Sequence, residues 1–378
     1  MTNSLQTPKL RIAAFGFRSI PLRKGCAGAD KFAMELYPRL VKIGHQVVGY
    51  NRLYPGQEKL VDEYEGVRII NFKTINQKGF DTLIHSLKCT LHIIFRNTAN
   101  VVHIQNGGNS IWALLLRIAG KKVFISQDGI DWNRDKWPWY AKFYLRFSAF
   151  ITAYIPNQVI FDNIFAQDIF EKKFKKKFAF IPFGSEVPEF EVNDDVFTNM
   201  GLVKGEYFLF IGRFIPDKGL HYLIPAFNKL KTTKKLVLVG GSPNPSDYEK
   251  TLISTADNRI LFSGYIYGEV SLQLMKHAYC YIQPSDIEGL SPVILNVMGI
   301  GTPIICSDIK ENVYAVADTA TLFKQGNIDS LHSALELALN SEDLLLTKAN
   351  LAKQRALSLF NWDKVALEHE RMFNLFMK

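Results

Sequence analysis

The sequence predicts an α/β protein made of two doubly wound, Rossmann-like domains. Apolar runs of β type alternate with segments of helical periodicity, and this alternation occurs twice along the chain. Alternation of this kind is typical of parallel sheets, because parallel strands need a crossover connection that is usually a helix. With 378 residues, of which 47% are hydrophobic, the chain can give each domain a core of its own.

The predicted first domain covers residues 1–182 and begins with a β-α-β unit. The apolar run Leu10–Phe15 ends at Gly16, and apolar spacing predicts a helix over Asp30–Ile43. A glycine can end that helix, and Gln46–Tyr50 is the next predicted strand. Further strands are predicted at Val67–Phe72, Val101–Gln105, Val123–Ser126 and Val159–Phe161. The helices between them are predicted at Phe80–Arg96, Ser110–Ala119, Tyr140–Thr152 and Ile164–Phe174.

Polar or glycine-containing loops follow several of these strands. Gly16 follows the first strand, Asn106 and Asn109 follow another, and Asp128 follows a third. Because the carboxyl ends of parallel strands meet at one edge of a sheet, we expect these residues to lie at the same edge. The glycines before the first helix lack the spacing of the dinucleotide-binding fingerprint, so the pattern does not favour an NAD site.

The second round of alternation predicts a second domain over residues 205–358, after a linker at 183–204 that is interrupted by proline and glycine. Its predicted strands are Tyr207–Ile211, Leu236–Val239, Ile260–Phe262 and Tyr279–Ile282. Its predicted helices are Leu220–Leu230, Tyr248–Ala256, Val270–His277 and Pro292–Ile300. A further helix, Trp362–Phe376, is predicted within the tail 359–378.

The loop between the strand Tyr279–Ile282 and the helix that begins at Pro292 is the most informative stretch. Backbone N–H groups at the positive end of such a helix bind anions well. In this chain those groups belong to Gly289, Leu290 and Ser291. Glu288 stands at the same turn, so the loop could hold a phosphate beside a sugar. The alternative is a plain strand–loop–helix connection that binds nothing.

Two cations occur on a single loop directly after the strand Tyr207–Ile211. Arg213 and Lys218 could face the two phosphates of a diphosphate and stabilise the charge that develops on a leaving group. The alternative is a pair of solvated side chains on a surface loop.

These two loops resemble the donor-site motifs of retaining glycosyltransferases of family 4. Residues 212–219, Gly-Arg-Phe-Ile-Pro-Asp-Lys-Gly, look like the pattern G-R-x-x-x-E/D-K-G of that family. Glu288 matches the first Glu of a motif in which seven residues separate two Glu residues, but Asn296 occupies the second position. The resemblance implies the GT-B architecture, in which two Rossmann-like domains face a central cleft and the last helix often crosses back to the first domain.

The resemblance also implies roles for individual residues. The expected catalytic residues are Glu288, Asp128, Arg213 and Lys218. The expected donor-binding residues are Gly16, Gly28, Arg213, Lys218, Ile266, Glu288, Gly289, Leu290, Ser291 and Asn296. The acceptor-side candidates are Asn106, Asn109, Trp132 and Trp137. A buried capping role is the alternative for Asp128, and a core or bilayer-interface position is the alternative for the tryptophans.

The implied reaction is transfer of a sugar from a nucleotide-diphosphate donor to a hydroxyl acceptor with retention, without a metal or other cofactor. The first domain resembles a bacterial subgroup that includes rhamnosyltransferases, which suggests a glycan or lipid-linked acceptor in surface polysaccharide or glycolipid assembly. The Asn at position 296 leaves three accounts open: weaker donor binding, a compensating contact, or loss of turnover. Two other functions therefore stay open, a non-catalytic nucleotide- or glycan-binding relative and a GT-B-type sugar-nucleotide epimerase.

Charge and composition bear on partners and location. The net charge of +9 suggests a polyanionic partner, and the absence of nucleic-acid-binding motifs favours a nucleotide diphosphate or an anionic membrane surface. Without a spanning segment or signal peptide in the sequence, we expect a cytoplasmic protein, with peripheral binding to the inner face of the plasma membrane as a second option. The four cysteines are expected to be buried and reduced. The phenylalanines of the lysine-rich stretch 170–178 are either core residues, which we favour, or a membrane-binding face.

Overall fold

A computed structural model of the chain describes most of its residues and divides it into two compact units. The described ranges are 9–23, 28–59, 61–77, 79–127, 129–130, 139–185, 191–241 and 247–377. The first unit comprises Met1–Phe183 together with Trp362–Lys378, and the second comprises Gly184–Asn361. The C-terminal helix Trp362–Leu375 thus belongs to the first unit. The range proposed as a linker, 183–204, contains the short helix Asp195–Asn199 and clusters with the second unit from residue 184 onwards.

The first unit is built on an eight-stranded sheet. Its strands are β1 Arg11–Phe15, β2 Gln46–Leu53, β3 Glu63–Tyr64, β4 Val67–Lys73, β5 Val101–Gln105, β6 Lys122–Gln127, β7 Gln158–Phe161 and β8 Ala179–Phe180. They lie in the order β3-β4-β2-β1-β5-β6-β7-β8, and every pairing is parallel except that of β3 with β4. The parallel arrangement predicted from the alternation is therefore confirmed for this unit.

The helices that connect these strands are α1 Gly28–Lys42, α2 Phe80–Arg96, α3 Ala113–Ile118, α4 Trp139–Tyr154 and α5 Ile164–Phe174. The predicted helix Ser110–Ala119 is a composite, because a 3-10 helix over Gly107–Trp112 precedes α3. Asn106 starts this 3-10 helix with a positive φ of 69° and accepts a hydrogen bond from the Gly108 N–H. This backbone conformation left no signal in the apolar spacing.

The second unit contains a six-stranded, fully parallel sheet. Its strands are β9 Tyr207–Arg213, β10 Lys235–Gly241, β11 Ile260–Gly264, β12 Cys280–Gln283, β13 Ile304–Ser307 and β14 Thr321–Phe323. Its α-helices are α6 Asp195–Asn199, α7 Leu220–Asn228, α8 Asp247–Thr255, α9 Gly268–Lys276, α10 Pro292–Ile300, α11 Lys310–Val316, α12 Ile328–Asn340 and α13 Glu342–Leu359. The bounds of α10 agree with the prediction, since Pro292 starts the helix and Gly301 ends it in a left-handed conformation.

Strand order creates a topological switch point in each sheet. In the second unit the order is β11-β10-β9-β12-β13-β14, so the chain proceeds in one direction from β9 and in the opposite direction from β12. In the first unit the same reversal occurs between β1 and β5. Ligands of open α/β sheets bind in the crevice at the carboxyl ends of two such strands, because no crossover connection covers that position.

Buried aromatic and cysteine side chains fill the cores of both units. Phe170 and Phe178 are buried against Phe161, which confirms the core interpretation of the phenylalanines in the lysine-rich stretch. Three cysteines are buried and free, and burial raises the pKa of each thiol. They are Cys89, Cys280 and Cys306. Cys26 lies outside the described residues.

Among the helices that the structure describes, none combines the length and the continuous apolar character that crossing a bilayer requires.

Three histidines of the first unit, His85, His103 and His369, are fully buried, and the last two lie close to each other. The Nδ1 of His103 lies 3.1 Å from the Tyr37 hydroxyl, and its Nε2 lies 2.8 Å from the Ser126 hydroxyl. The Nδ1 of His369 donates to the Val365 carbonyl at 2.8 Å. Burial lowers the pKa of both rings, that of His369 to about 4. Both imidazoles are therefore held neutral in the folded state.

Acidification should destabilise the first unit through these buried rings. Below a pH of about 6.5 the unfolded chain protonates His369, whereas the folded state keeps it neutral down to a pKa of about 4. The free energy of unfolding should therefore fall as the pH drops through this window, by up to about 1.4 kcal/mol per pH unit for each such histidine. Calorimetric melting between pH 7.5 and 4.5 measures this fall, and the His369→Phe variant should show a shallower one. An equally steep fall in that variant would contradict the assignment.

Candidate functional site

The site described here lies entirely in the second unit, at the carboxyl ends of β9 and β12. Arg213 is the last residue of β9, where the strand runs beside β10 with Gly240 opposite Gly212. Gly240 has a φ of +140°, and a Cβ added there would lie 1.8 Å from the Gly212 carbonyl oxygen. The Phe214 N–H donates to the Gly241 carbonyl at 3.0 Å. Close backbone packing, which only glycine permits, therefore defines the start of the loop that carries Arg213 and Lys218.

Backbone contacts join this loop to the one that follows β12. Residues Pro216–Lys218 form a 3-10 helix that ends at Gly219, whose φ is +70°. A Cβ added at Gly219 would lie only 1.9 Å from the Pro284 carbonyl oxygen. The Asp286 N–H donates to the Asp217 carbonyl at 2.9 Å. The two loops are thus held against each other without help from long side chains.

Lys218 and Glu288, both predicted to bind the donor, are in direct contact. The Lys218 Nζ lies 2.5 Å from the Glu288 Oε1, although 70 positions separate these residues. Their side chains are only 19% and 9% exposed. The Ser285 hydroxyl donates to the same carboxylate oxygen at 2.6 Å. The site therefore contains a largely buried ion pair at the switch point of the sheet.

A buried hydrogen-bond network anchors both ends of the loop that carries Glu288. The Ser307 hydroxyl donates to the Ser285 carbonyl at 2.6 Å, and the Asn312 Nδ2 donates to the Ser307 hydroxyl at 3.0 Å. The Gln283 Nε2 donates to the Asn312 Oδ1 at 2.8 Å, and the Gln283 Oε1 accepts from the Ser291 hydroxyl at 3.2 Å. Both ends of the loop are thus anchored. Sequence reasoning missed this network, although polar residues at the ends of apolar strands, such as Gln283 and Ser307, could have indicated it.

The helix α10 begins where the anion-binding turn was predicted. Ser291 is its N-cap, and the hydroxyl accepts a hydrogen bond from the Ile294 N–H at 3.4 Å. Gly289 is exposed, whereas Leu290 and Ser291 are nearly buried, just ahead of the positive end of the helix. Asn296 is partly buried in the second turn of α10. Its assignment as a donor-binding residue stays a prediction.

Two tyrosines that sequence reasoning did not identify border the site after β11. The rings of Tyr265 and Tyr267 stack with centroids 6.0 Å apart, and the Tyr265 hydroxyl donates to the Gly241 carbonyl at 2.7 Å. Burial raises the pKa of Tyr265, and the positive charge of Arg213 partly opposes this rise, so the guanidinium lies within electrostatic reach of the phenol. Ile266, the residue expected beside the base, lies between the two tyrosines in the sequence. The surroundings of Arg213 thus include aromatic surface.

Three of the residues predicted in the first unit lie at the carboxyl ends of β1 and β5. Gly16 has a φ of +109°, and a Cβ added there would lie 2.1 Å from the Gln105 carbonyl oxygen. The Asn109 Nδ2 donates to that same carbonyl at 2.8 Å, and the Asn106 side chain accepts from Gly108. Both amides thus stabilise the loop, and their acceptor contacts stay a prediction.

Of the four remaining residues predicted for the first unit, one lies within the described ranges. Gly28 is exposed and begins α1. Asp128, Trp132 and Trp137 lie outside the described residues. Their catalytic and acceptor-side roles stay predictions.

Sequence comparison matches the second unit to a known family. Residues 196–355 match the family model "Glycosyl transferases group 1". An uncharacterized glycosyltransferase of Methanocaldococcus jannaschii is 27% identical over 177 residues, which are 45% of this chain and 45% of that protein. The capsular polysaccharide biosynthesis glycosyltransferase CapM of Staphylococcus aureus is 23% identical over 177 residues, 45% of this chain and 46% of CapM. The alignments thus span less than half the length of these relatives.

Comparison with solved structures covers nearly the whole chain. Sucrose-phosphate synthase from Thermosynechococcus elongatus has a TM-score of 0.81 at 20% identity, covering 96% of this chain and 98% of that one. Anabaena HepE, solved in complex with UDP and glucose, has a TM-score of 0.78 at 16% identity, covering 97% of this chain and 100% of that one. At these identities the likeness establishes the fold and not the activity. The predicted architecture is confirmed: the chain has the GT-B fold of two doubly wound α/β domains, and residues 196–355 match the group 1 glycosyl transferases.

Proposed function

We propose that this protein transfers a sugar from a nucleotide-diphosphate donor to a hydroxyl acceptor. The contact between Lys218 and Glu288 carries the proposal. It brings together, at the switch point of the sheet, a cation that can bind phosphate and a carboxylate that can accept hydrogen bonds from sugar hydroxyls. Both residues also lie within the segment that matches the group 1 glycosyl transferases. The resemblance of their motifs to family 4 suggests retention of configuration at the transferred carbon.

The cationic groups of the site suit a diphosphate. Arg213 at the end of β9, Lys218, and the positive end of α10 would surround the two phosphates. The Lys218 ammonium would exchange part of its contact with Glu288 for phosphate oxygens when the donor binds. Glu288 would then be available to accept hydrogen bonds from sugar hydroxyls. These groups provide the positive charge that the leaving group requires, so we propose metal-independent chemistry.

The chemical step needs no proton donor from the protein. The bond between the anomeric carbon and the leaving phosphate oxygen breaks, and a bond to the acceptor oxygen forms on the same face of the sugar. The acceptor proton passes to the departing phosphate oxygen. Arg213 and Lys218 stabilise the charge on that phosphate as it separates.

The relatives suggest which donors and acceptors to test first. HepE has been solved with UDP and with glucose, and CapM is a capsular polysaccharide biosynthesis enzyme. We therefore propose UDP-sugars as the first donors, with dTDP-rhamnose tested for the rhamnosyltransferase subgroup. The proposed acceptor is a glycan or a lipid-linked glycan of surface polysaccharide or glycolipid assembly, reached from the cytoplasmic side.

A thermal-shift panel of nucleoside diphosphates and their sugars tests donor binding. One nucleotide should raise the melting temperature, since ligand at 100 times its Kd stabilises the folded state by about 2.7 kcal/mol. The Asn296→Glu variant should bind that nucleotide equally or more tightly, because a carboxylate forms stronger hydrogen bonds with ribose hydroxyls than an amide does. A large loss of affinity in Asn296→Glu would instead show that Asn296 has a specific partner of its own. Absence of a shift with every nucleotide would contradict donor binding.

Product analysis separates the three functions that the sequence leaves open. A glycosyltransferase should release nucleoside diphosphate only when an acceptor is present, and EDTA should leave its rate unchanged. An epimerase would change the free sugar nucleotide without an acceptor. A non-catalytic relative would bind the nucleotide without consuming any sugar nucleotide.

A further inference from the structure

The helix α4 exposes aromatic side chains along one face. This aromatic face consists of Trp139, Tyr140, Phe143, Phe147, Phe150 and Tyr154. From Tyr140 onwards the members are three or four positions apart, and Trp139 is four positions from Phe143, so all of them lie on the same side of the helix. Trp139 is 81% exposed, Phe143 72% and Phe150 52%. The opposite side of α4 is buried and carries small side chains, among them Ser148, Ala149 and Ala153.

This arrangement is the reverse of an ordinary surface helix, which buries its large apolar side chains and exposes polar ones. Large contiguous apolar patches on a protein surface usually indicate a binding partner. The neighbouring helix α3 contacts α4 and also exposes apolar side chains, namely Leu114, Leu115 and Ile118. The aromatic face is therefore a candidate interaction surface.

The charges around the aromatic face indicate what it binds. Helix α4 contains Lys142 and Arg146 and no acidic residue. Residues 139–178 together contain seven cationic and three acidic side chains. Five of the cations form a lysine cluster at 172, 173, 175, 176 and 177. Lys172 and Lys177 pair with the acidic residues of α5, and the stretch 139–178 as a whole has more cationic than acidic side chains.

The lysine cluster adjoins the C-terminal end of the aromatic face directly. The Tyr154 hydroxyl donates to the Phe174 carbonyl at 3.1 Å, and the two rings are 6.1 Å apart. The Lys176 Nζ lies 5.4 Å from the centre of the Tyr154 ring and donates to the Ala153 carbonyl at 2.9 Å. Aromatic and cationic groups thus form one continuous surface in the first unit.

We propose that the aromatic face and the lysine cluster bind the surface of an anionic lipid bilayer, with α4 lying in the plane of the headgroups. Amphipathic aromatic rings favour that region, and lysines are attracted to the negative surface potential. A second copy of the chain fits less well, because a two-fold interface would bring the same positive charges together. This inference extends the proposed function by locating the surface that would approach a lipid-linked acceptor. Its test measures lipid binding without turnover, so either proposal can fail alone.

Vesicle sedimentation tests the proposal. The full chain should sediment with vesicles of phosphatidylcholine containing about 30% phosphatidylglycerol, and this binding should weaken at about 0.5 M salt because screening reduces the attraction. Pure phosphatidylcholine should bind at least about tenfold less protein, given the contribution of each lysine. Replacing Phe143, Phe147 and Phe150 together by serine should reduce partitioning to the anionic vesicles by about tenfold or more. The Lys173→Gln/Lys175→Gln variant should lose about fivefold per lysine.

The matched control carries Ile253→Ser and Leu346→Ser, which remove two similarly exposed apolar side chains from the second unit. It should bind the anionic vesicles like the parent protein. The circular dichroism spectra and melting temperatures of all variants verify that they fold. Equal binding by the triple serine variant and the parent would overturn the proposal. So would equal binding to both vesicle types, or a dimer in light scattering that the triple variant abolishes, which would show that the surface binds a second copy.

Discussion

The Lys218→Ala variant should transfer sugar with a kcat/KM lower by about 10²–10³-fold, the usual effect of removing one group that stabilises transition-state charge. Two effects act in the same direction. The diphosphate loses a cation, and Glu288, whose side chain is only 9% exposed, keeps a negative charge without its partner. The uncompensated carboxylate then repels the donor. The variant should also weaken binding of the nucleoside diphosphate alone, which calorimetric titration measures.

Two further variants test whether the loss of activity is specific to the charge at position 218. Lys218→Arg should recover part of the activity, because the charge is kept while the geometry of the contact with Glu288 changes. Lys229→Ala removes an exposed lysine of the same unit, paired with Asp329, and should leave kcat/KM unchanged. A loss of less than tenfold in Lys218→Ala would show that this lysine does not contact the reacting diphosphate.

The Gly219→Ala variant should destabilise the second unit by about 3–4 kcal/mol. The added Cβ would lie 1.9 Å from the Pro284 carbonyl oxygen, and the residue would also be forced to keep a φ of +70°. Relief requires the loop of Lys218 to move away from the loop of Glu288. Calorimetry should show a lower melting temperature for the second unit, and nucleotide binding should weaken with it.

Gly264 offers a closely matched control for this substitution. Its φ is +71°, but no described atom lies within 4 Å of the position that an added Cβ would occupy. Gly264→Ala should therefore lower the free energy of unfolding by only about 1 kcal/mol, the cost of holding an alanine in the left-handed conformation. Equal losses in the two variants would show that backbone conformation alone, and not the contact with Pro284, explains the role of Gly219.

Several elements could be predicted from the sequence almost to the residue. The bounds of α2, α5 and α10 agree with the prediction. At the ends of these helices a proline, a glycine or a capping side chain stands where the periodic apolar pattern begins or stops. The 3-10 helix before α3 was not predicted, because it depends on the positive φ of Asn106. The short strand β3, which pairs antiparallel with β4, was likewise missed, since two residues carry no periodicity.

For the candidate site, the chemistry of each loop could be predicted but its surroundings could not. Arg213, Lys218 and Glu288 were identified because cations and a carboxylate stand on loops that follow apolar strands, and because these loops resemble the donor-site motifs of family 4. The network that supports Ser285 and Ser291 through Gln283 was not identified. Its members are scattered along the chain, and no spacing rule relates them.

Periodicity and loop chemistry were determined by the sequence alone, because each depends on residues close together in the chain, and net charge was determined by composition. Two facts depended on the folded molecule. The adjacency of β9 and β12, which brings Lys218 to Glu288, results from strand order, and strand order is set by packing between distant segments. The exposed side of α4 was equally undetermined, because helical periodicity alone would predict burial of the aromatic face, and packing against neighbouring segments such as the 3-10 helix Gly107–Trp112 instead buries the side with small residues.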